Sequence, residues 1–393
     1  MEIKRCDYLQ MLESATEKTD LVKVITGMRR TGKTTVMLQH LEYLRARGTP
    51  EDLICYIDLD LMGKEVTSEE LKDMIQPCLE HDGLHFILID EIQDVDKWEL
   101  VVAMLVARKD CDIYITGSNS RMLSSELSTK LSGRYIEVEI LPLSFKEFME
   151  LHGGDADERF IQYMRFGPLP SIEPERGERI CRAQSEGVYN TVMMKDVVSH
   201  VSGRYDKLNT VCRFLFSNIG NVTNAERIST ELGISDDTVR KYLGILIEAH
   251  LFYHAERYDI RGKKIFSSKG KYYVTDMGMR NILVNANELR NLSAPLENVV
   301  YFELLRRGYK VFVGSFRDQE VDFTAIKMDD VRYYQVSQTV LSEDTFNREI
   351  KPLKSVTDNY EKTILTMDRF NLGNFDGIKI VNVIDWLLEE YDH

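Results

Sequence analysis

What this sequence has little of narrows it before any motif is read. No apolar run in its 393 residues approaches the roughly 20 that span a bilayer. The N-terminal stretch 1–20 is charged throughout and lacks the apolar core of a secretion signal. The expected location is therefore the cytoplasm. Cysteine is sparse and scattered: Cys6, Cys55, Cys78, Cys111, Cys181 and Cys212 form no Cys-x-x-Cys pair and have no histidine cluster at zinc-ligand spacing. That pattern excludes a disulfide framework and a zinc module and leaves reduced core thiols. Net positive charge is missing too. At −14, with a pI near 5.2, the chain does not attract polyanions as a whole, so any nucleic-acid site has to be local.

What is present is the composition of a folded globular chain, with 43% hydrophobic and 29% charged residues and no low-complexity segment or useful repeat. At about 100 to 200 residues per domain, the length implies two to four domains. From Leu21 to about Leu141, short apolar runs alternate with helix-period stretches. The runs are 21–25, 53–57, 86–89 and 113–115, and the first is followed by a helical pattern over 34–44. Continuous apolar strands separated by helices predict an α/β parallel sheet covered on both faces.

The first run leads into Gly27-Met28-Arg29-Arg30-Thr31-Gly32-Lys33-Thr34-Thr35, the phosphate-loop spacing placed after a strand and at the start of a helix. The glycines let the backbone wrap a phosphate, and the helix start adds exposed N–H groups. Lys33 is expected to reach the β- and γ-phosphates of ATP and Thr34 to ligate Mg2+. Arg29 and Arg30 sit inside the loop and are candidates for phosphate or partner contact. Phe86-Ile87-Leu88-Ile89 delivers Asp90 and Glu91 at the C-terminal end of a strand, the edge of a parallel sheet where ligands bind. Asp90 is the expected metal-shell carboxylate and Glu91 the base that polarises water. A further strand ends in Gly117-Ser118-Asn119-Ser120, where Asn119 or Ser118 either orients that water or caps a following helix. Arg134 is a candidate arginine finger or sensor, acting in cis or in trans, or a surface arginine in a turn.

Residues 142–205 read as helical, broken at Gly153-Gly154 and at 167–170. Residues 221–250 then read as a capped helix, a turn at Gly233 and a second helix with Val239, Tyr242, Leu243, Leu246 and Ile247 on one face, the signature of a helix-turn-helix. Strand-like runs follow. Across 256–271, Arg257, Arg261, Lys263, Lys264, Lys269 and Lys271 face only Glu256 and Asp259. This local cationic excess makes the hairpin region a candidate DNA contact. The alternative is a contact between domains or with a protein.

Together these residues resemble a family of bacterial and archaeal AAA-type (AAA+ superfamily) P-loop ATPases, which join a P-loop core to a winged helix and a C-terminal domain of unknown function. That last domain is similar to the PD-(D/E)XK restriction-endonuclease fold. The strand at 113–116 resembles the sensor-1 strand of such ATPases. The resemblance covers nearly the whole chain and is strongest at 27–35, at Asp90-Glu91 and at Glu320-Val321-Asp322-Phe323. It implies a P-loop core at 1–145, a helical lid or linker at 146–205, a winged helix-turn-helix at 206–285 and an α+β restriction-endonuclease-like domain at 286–393. By the same resemblance Glu297 takes the helix-glutamate position and Asp322 the strand-aspartate position. The third element reads Gln335-Val336-Ser337, an amide without the following lysine. A neutral amide is a weaker magnesium ligand than a carboxylate, so degenerate nuclease chemistry is expected, unless Lys327 or Lys351 supplies a migrated amine. The function expected is Mg-ATP hydrolysis coupled to modules acting on DNA. The alternatives are a nucleotide-dependent switch or scaffold for a protein partner and an ATP-regulated DNase. A homo-oligomer is compatible with each, and no membrane is involved.

Overall fold

A computed structural model describes residues 3–63, 66–120, 131, 133–198, 205–284 and 292–389, with the side chains of 267 and 268 outside that description. The chain divides into two units, Met1–Ile140 with Glu248–His250, and Leu141–Ile247 with Leu251–His393.

The first unit is built on five parallel strands: β1 (Val22–Thr26), β2 (Ile54–Asp58), β3 (His85–Asp90), β4 (Cys111–Thr116) and β5 (Tyr135–Glu139), in the order β2-β3-β4-β1-β5. β1, β3 and β4 are buried at every position, which is why they read as unbroken apolar runs rather than alternating ones. Neighbouring residues serve opposite faces. Val24, Ile87 and Ile113 join one core cluster, while Ile25, Leu88 and Tyr114 join another with Val36 and Leu41 of the helix Lys33–Ala46. β5 was not expected. Its Tyr-Ile-Glu-Val-Glu pattern is only partly buried, so the sequence offers a weak alternation in place of an apolar run.

In a parallel sheet all C-terminal strand ends lie along one edge. Here Thr26, Asp90 and Thr116 share it with the loop that follows β1.

The second unit opens with the helices Phe145–His152, Ala156–Phe166 and Glu178–Val192, the first two capped by Ser144 and Asp155. Tyr205–Ser217, Ala225–Leu232 and Asp236–Glu248 follow, the middle one capped by Asn224 and ended by Gly233 at φ +64°. Eight strands complete the unit: β6 (Phe252–Asp259), β7 (Lys264–Val274), β8 (Lys310–Phe316), β9 (Gln319–Lys327), β10 (Asp330–Ser337), β11 (Glu361–Thr366), β12 (Gly373–Phe375) and β13 (Ile378–Asn382). Their order is β12-β13-β11-β10-β9-β8-β6-β7.

The boundary expected between 285 and 286 therefore needs correction, because it cuts through one sheet. β6 runs parallel to β8 with Arg257 opposite Val313, and the hairpin thereby becomes the edge of the C-terminal sheet. Local pattern identifies strands, but which edge a hairpin joins is a long-range choice that propensity does not encode. The helix Ser293–Arg306 packs across this sheet with Leu296, Val300 and Leu304 fully buried.

Candidate functional site

The phosphate loop turns directly from β1 into the helix Lys33–Ala46. Gly27 has φ +136°, and a Cβ there would lie 2.4 Å from the Ile140 carbonyl oxygen, so only glycine fits. Gly32, at φ +101°, is the residue before the helix and frees its first N–H groups toward the loop. Inside the loop, Thr31 Oγ1 donates to the Met28 carbonyl at 2.9 Å. Arg5, 2% exposed and overlooked in the sequence, donates Nη1 to the Thr31 carbonyl at 3.1 Å. Nothing local marks that residue, since it acts across 26 positions of chain.

Lys33 Nζ lies 3.4 Å from the Met28 carbonyl and 3.5 Å from Glu91 Oε1, while Arg29 Nη1 lies 3.8 Å from Glu91 Oε2. Asp90 is 1% exposed, accepts from the Thr116 hydroxyl, and is hydrogen-bonded by the Thr34 side chain. Thr116 Oγ1 in turn accepts from the Glu91 amide at 2.9 Å. The two carboxylates are pushed apart electrostatically. Burial raises Asp90 above the ordinary aspartate range, and the neighbouring Glu91 charge adds to this against the two hydroxyl bonds and Lys33. Burial would raise Glu91 as well, but Lys33 and Arg29 outweigh it and hold Glu91 below the usual range. Glu91 also adopts φ +55°, a left-handed conformation uncommon outside glycine, which places its carboxylate off the strand end. Gln93 Nε2 donates to Glu91 Oε2 at 2.6 Å.

The structure thus gathers Lys33, Thr34, Asp90 and Glu91 in one place. Ser118 and Asn119 are buried just past β4, and the Gly117 amide before them donates to the Ile25 carbonyl at 3.0 Å. The helix that Asn119 was expected to cap would fall on 121–130, outside the described residues. Arg30 is exposed.

Arg134 requires correction. Its carbonyl accepts from the Val22 amide at 3.0 Å, so it stands at the N-terminal end of β1, opposite the phosphate-loop edge. About 13 Å of strand separates the two ends. Arg134 is therefore no finger for the nucleotide of its own chain.

In the second unit a different set of charges meets. Lys271 on β7 is 3% exposed, and its Nζ lies 2.8 Å from Glu297 Oε1, 2.9 Å from Glu320 Oε1 and 3.6 Å from Asp322 Oδ1. Tyr273 donates to Glu297 Oε1 at 2.5 Å, and the Val336 amide donates to Asp322 Oδ2 at 2.8 Å. Lys271 therefore leaves the set of candidate DNA contacts, because its charge is enclosed by carboxylates. It also displaces the two lysines expected to supply an amine here. Lys327 donates to the Arg307 carbonyl at 3.0 Å, about 16 Å along β9 from Asp322, and Lys351 is exposed. Gln335 accepts from the Asp322 amide at 3.3 Å and donates to Glu349 Oε2 at 3.0 Å. Its amide is consumed in positioning. Among the described residues no group of three or more His, Cys, Asp or Glu side chains is arranged to hold a metal ion. Burial, then the Glu297 charge, raises Asp322 well above the ordinary aspartate range despite Lys271.

Of the remaining hairpin cations, Lys263 and Lys264 are exposed, while Arg257, Arg261 and Lys269 line one cavity with Arg317 of the β8–β9 turn.

A family model described as an AAA domain matches residues 19–149, and one described as a domain of unknown function (DUF8612) matches 157–290. The chain is 36% identical to an uncharacterized protein of Haemophilus influenzae, over 98% of this chain and 99% of that protein. It is 30% identical to an uncharacterized protein of Methanocaldococcus jannaschii, over 93% and 85% respectively. Among solved structures it is similar to the Aeropyrum pernix ORC1 protein in complex with DNA, at 13% identity and TM-score 0.34, covering 72% of this chain and 93% of that one. It is also similar to AMPPCP-bound DnaA from Aquifex aeolicus, at 15% identity and TM-score 0.32, covering 63% and 90%.

Proposed function

The chain belongs to the family of these Haemophilus influenzae and Methanocaldococcus jannaschii proteins and carries an AAA domain at residues 19–149, and on that footing we propose that it binds Mg-ATP in the loop 27–35 and hydrolyses it. The observation that carries this reading is the ion pair between Lys33 and Glu91 beside the buried Asp90. Lys33 is placed for the terminal phosphates, and the helix N-terminus adds its dipole. Thr34 and Asp90 are the residues that would hold magnesium. A carboxylate 1% exposed, raised by burial and with no ion-pair partner among the described residues, suits a divalent cation. Bound there, the metal would neutralise charge on the phosphates.

Glu91 is kept ionised by Lys33 and Arg29 and is the group that orients and polarises the attacking water, with Asn119 as a second orienting group. An arriving γ-phosphate competes for Lys33 and Arg29, which releases Glu91 when substrate is present. The same hold on Glu91 favours slow turnover, and with it a second reading as a nucleotide-dependent switch for a protein partner. We read the helix-turn-helix region and the C-terminal module as the parts that respond to nucleotide, with DNA as their ligand. The cationic hairpin supports that assignment in a protein of net charge −14.

The test is ATP turnover by wild type, Lys33→Ala and Glu91→Gln, with and without DNA. Wild type should hydrolyse, Lys33→Ala should lose binding, and Glu91→Gln should bind without hydrolysis. Tight binding with no wild-type turnover would leave the switch; no affinity for Mg-ATP would end both readings.

A further inference from the structure

We propose that the cavity between the β6–β7 hairpin and the β8–β9 turn is a binding site for single-stranded DNA, its phosphates held by Arg257, Arg261, Lys269 and Arg317 and a base stacked on Phe266. The inference rests on the reading of DNA as the second ligand and is independent of ATP hydrolysis.

The cavity has a volume of about 520 Å3, and its lining contains one carboxylate, Asp259, against four cations. Asp259 Oδ1 is engaged locally, accepting the Arg261 amide at 3.1 Å. Among the described residues no carboxylate forms an ion pair with any of the four cations, although carboxylates outnumber cations in the chain. Unpaired cations gathered around a concavity are costly in mutual repulsion unless an anion visits. Two of them are pre-positioned: Arg257 Nη2 donates to Ser315 Oγ at 2.9 Å, and the Arg317 guanidinium lies over the Phe316 ring at 5.5 Å. Arg317 is in a left-handed turn at φ +55°, and nothing in the sequence pattern linked it to the hairpin; the β6–β8 pairing brings the two together.

Phe266 is 48% exposed beside these cations. A large aromatic in water flanked by arginine and lysine is the arrangement that takes a base by its π-face while cations follow the backbone. Duplex recognition asks for something else, a helix or ribbon that projects into a groove and offers donors to base edges. The helix Asp236–Glu248 is poorly made for that. It begins with Asp236 and Asp237, and Arg240 is spent on Asp236 at 2.6 Å. A half-open concavity in the range of about 300–1,000 Å3 admits a ligand-sized group such as an unstacked nucleotide.

The experiment is fluorescence anisotropy with a labelled oligothymidylate and a labelled duplex, titrated with the full chain at several salt concentrations. Wild type, Phe266→Ala and the double variant Arg261→Glu/Arg317→Glu are compared, with thermal unfolding confirming that each is folded. The single strand should bind more tightly than the duplex, with affinity falling steeply with salt. Phe266→Ala should weaken strand binding by about tenfold or more, and the charge reversal should abolish it. Duplex binding that is tighter and indifferent to Phe266 would overturn the inference while keeping DNA as ligand, and so would strand binding that survives the charge reversal. If neither probe binds, the DNA reading falls with it.

Discussion

Lys271 and Glu297 form a buried ion pair, ammonium to carboxylate 2.8 Å, between an edge strand and the helix that crosses the sheet. Burial alone would lower the Lys271 pKa, but Glu297, Asp322 and Glu320 more than compensate and hold it above the ordinary lysine range. The lysine acts as a built-in cation for a set of carboxylates that would otherwise repel one another.

Lys271→Met is therefore expected to destabilise the protein by about 3–5 kcal/mol, because removing one partner leaves uncompensated charge in the interior. Denaturant unfolding should show the loss at neutral pH and partial recovery on acidification, as the stranded carboxylates protonate. Equal stability of variant and wild type at neutral pH would contradict this role.

Gly27→Ala places a methyl group against the Ile140 carbonyl in a backbone conformation that L-residues avoid. We expect a cost of about 1–3 kcal/mol from the strain, together with loss of nucleotide affinity as the loop shifts. Titration with a fluorescent ATP analogue, alongside melting, measures both.

Thr116→Val removes one hydroxyl that serves two residues, donating to Asp90 and accepting from the Glu91 amide. An orphaned buried amide costs about 1–3 kcal/mol. Turnover should fall and the magnesium concentration needed for half-maximal turnover should rise as Asp90 and Glu91 lose their common anchor. Unchanged turnover and magnesium dependence would show that the anchor is dispensable.

Asp276 caps the helix Met277–Leu283 through the Met279 amide at 2.7 Å, and complete burial pushes its carboxyl up to about 7. The folded value thus exceeds the unfolded value of about 3.9, so the folded state holds this proton more tightly. Its stabilising contribution is complete below about pH 4 and is lost as pH rises through about 7. Asp276→Asn keeps an acceptor for the cap and cannot ionise, so the decline in unfolding free energy across that window should flatten. Denaturant midpoints measured over a pH series test it; an unchanged slope would refute the assignment.

Much of the proposed ATP site could be read from sequence because its parts are contiguous. Loop, strand and helix start lie within 22–46, and the second half is a single strand tip at 85–91. The spacing of the glycines and the apolar strands carried the geometry almost directly. Arg134 could not be placed because a motif-like position says nothing about which end of a strand it occupies. β5 escaped because its half-buried residues lack a strong period, and Arg5 because its partner is remote.

The sequence by itself determined the parallel core, the nucleotide loop and the carboxylates beside it, since covalent neighbours and side-chain periodicity fix these locally. Only the tertiary structure decided that Lys271 turns inward to Glu297, Glu320 and Asp322, that Gln335 is tied to Glu349, and that Arg317 joins the hairpin cations. Those meetings depend on sheet order, strand register and helix packing. These are chosen by the burial of the whole unit rather than by any stretch of chain.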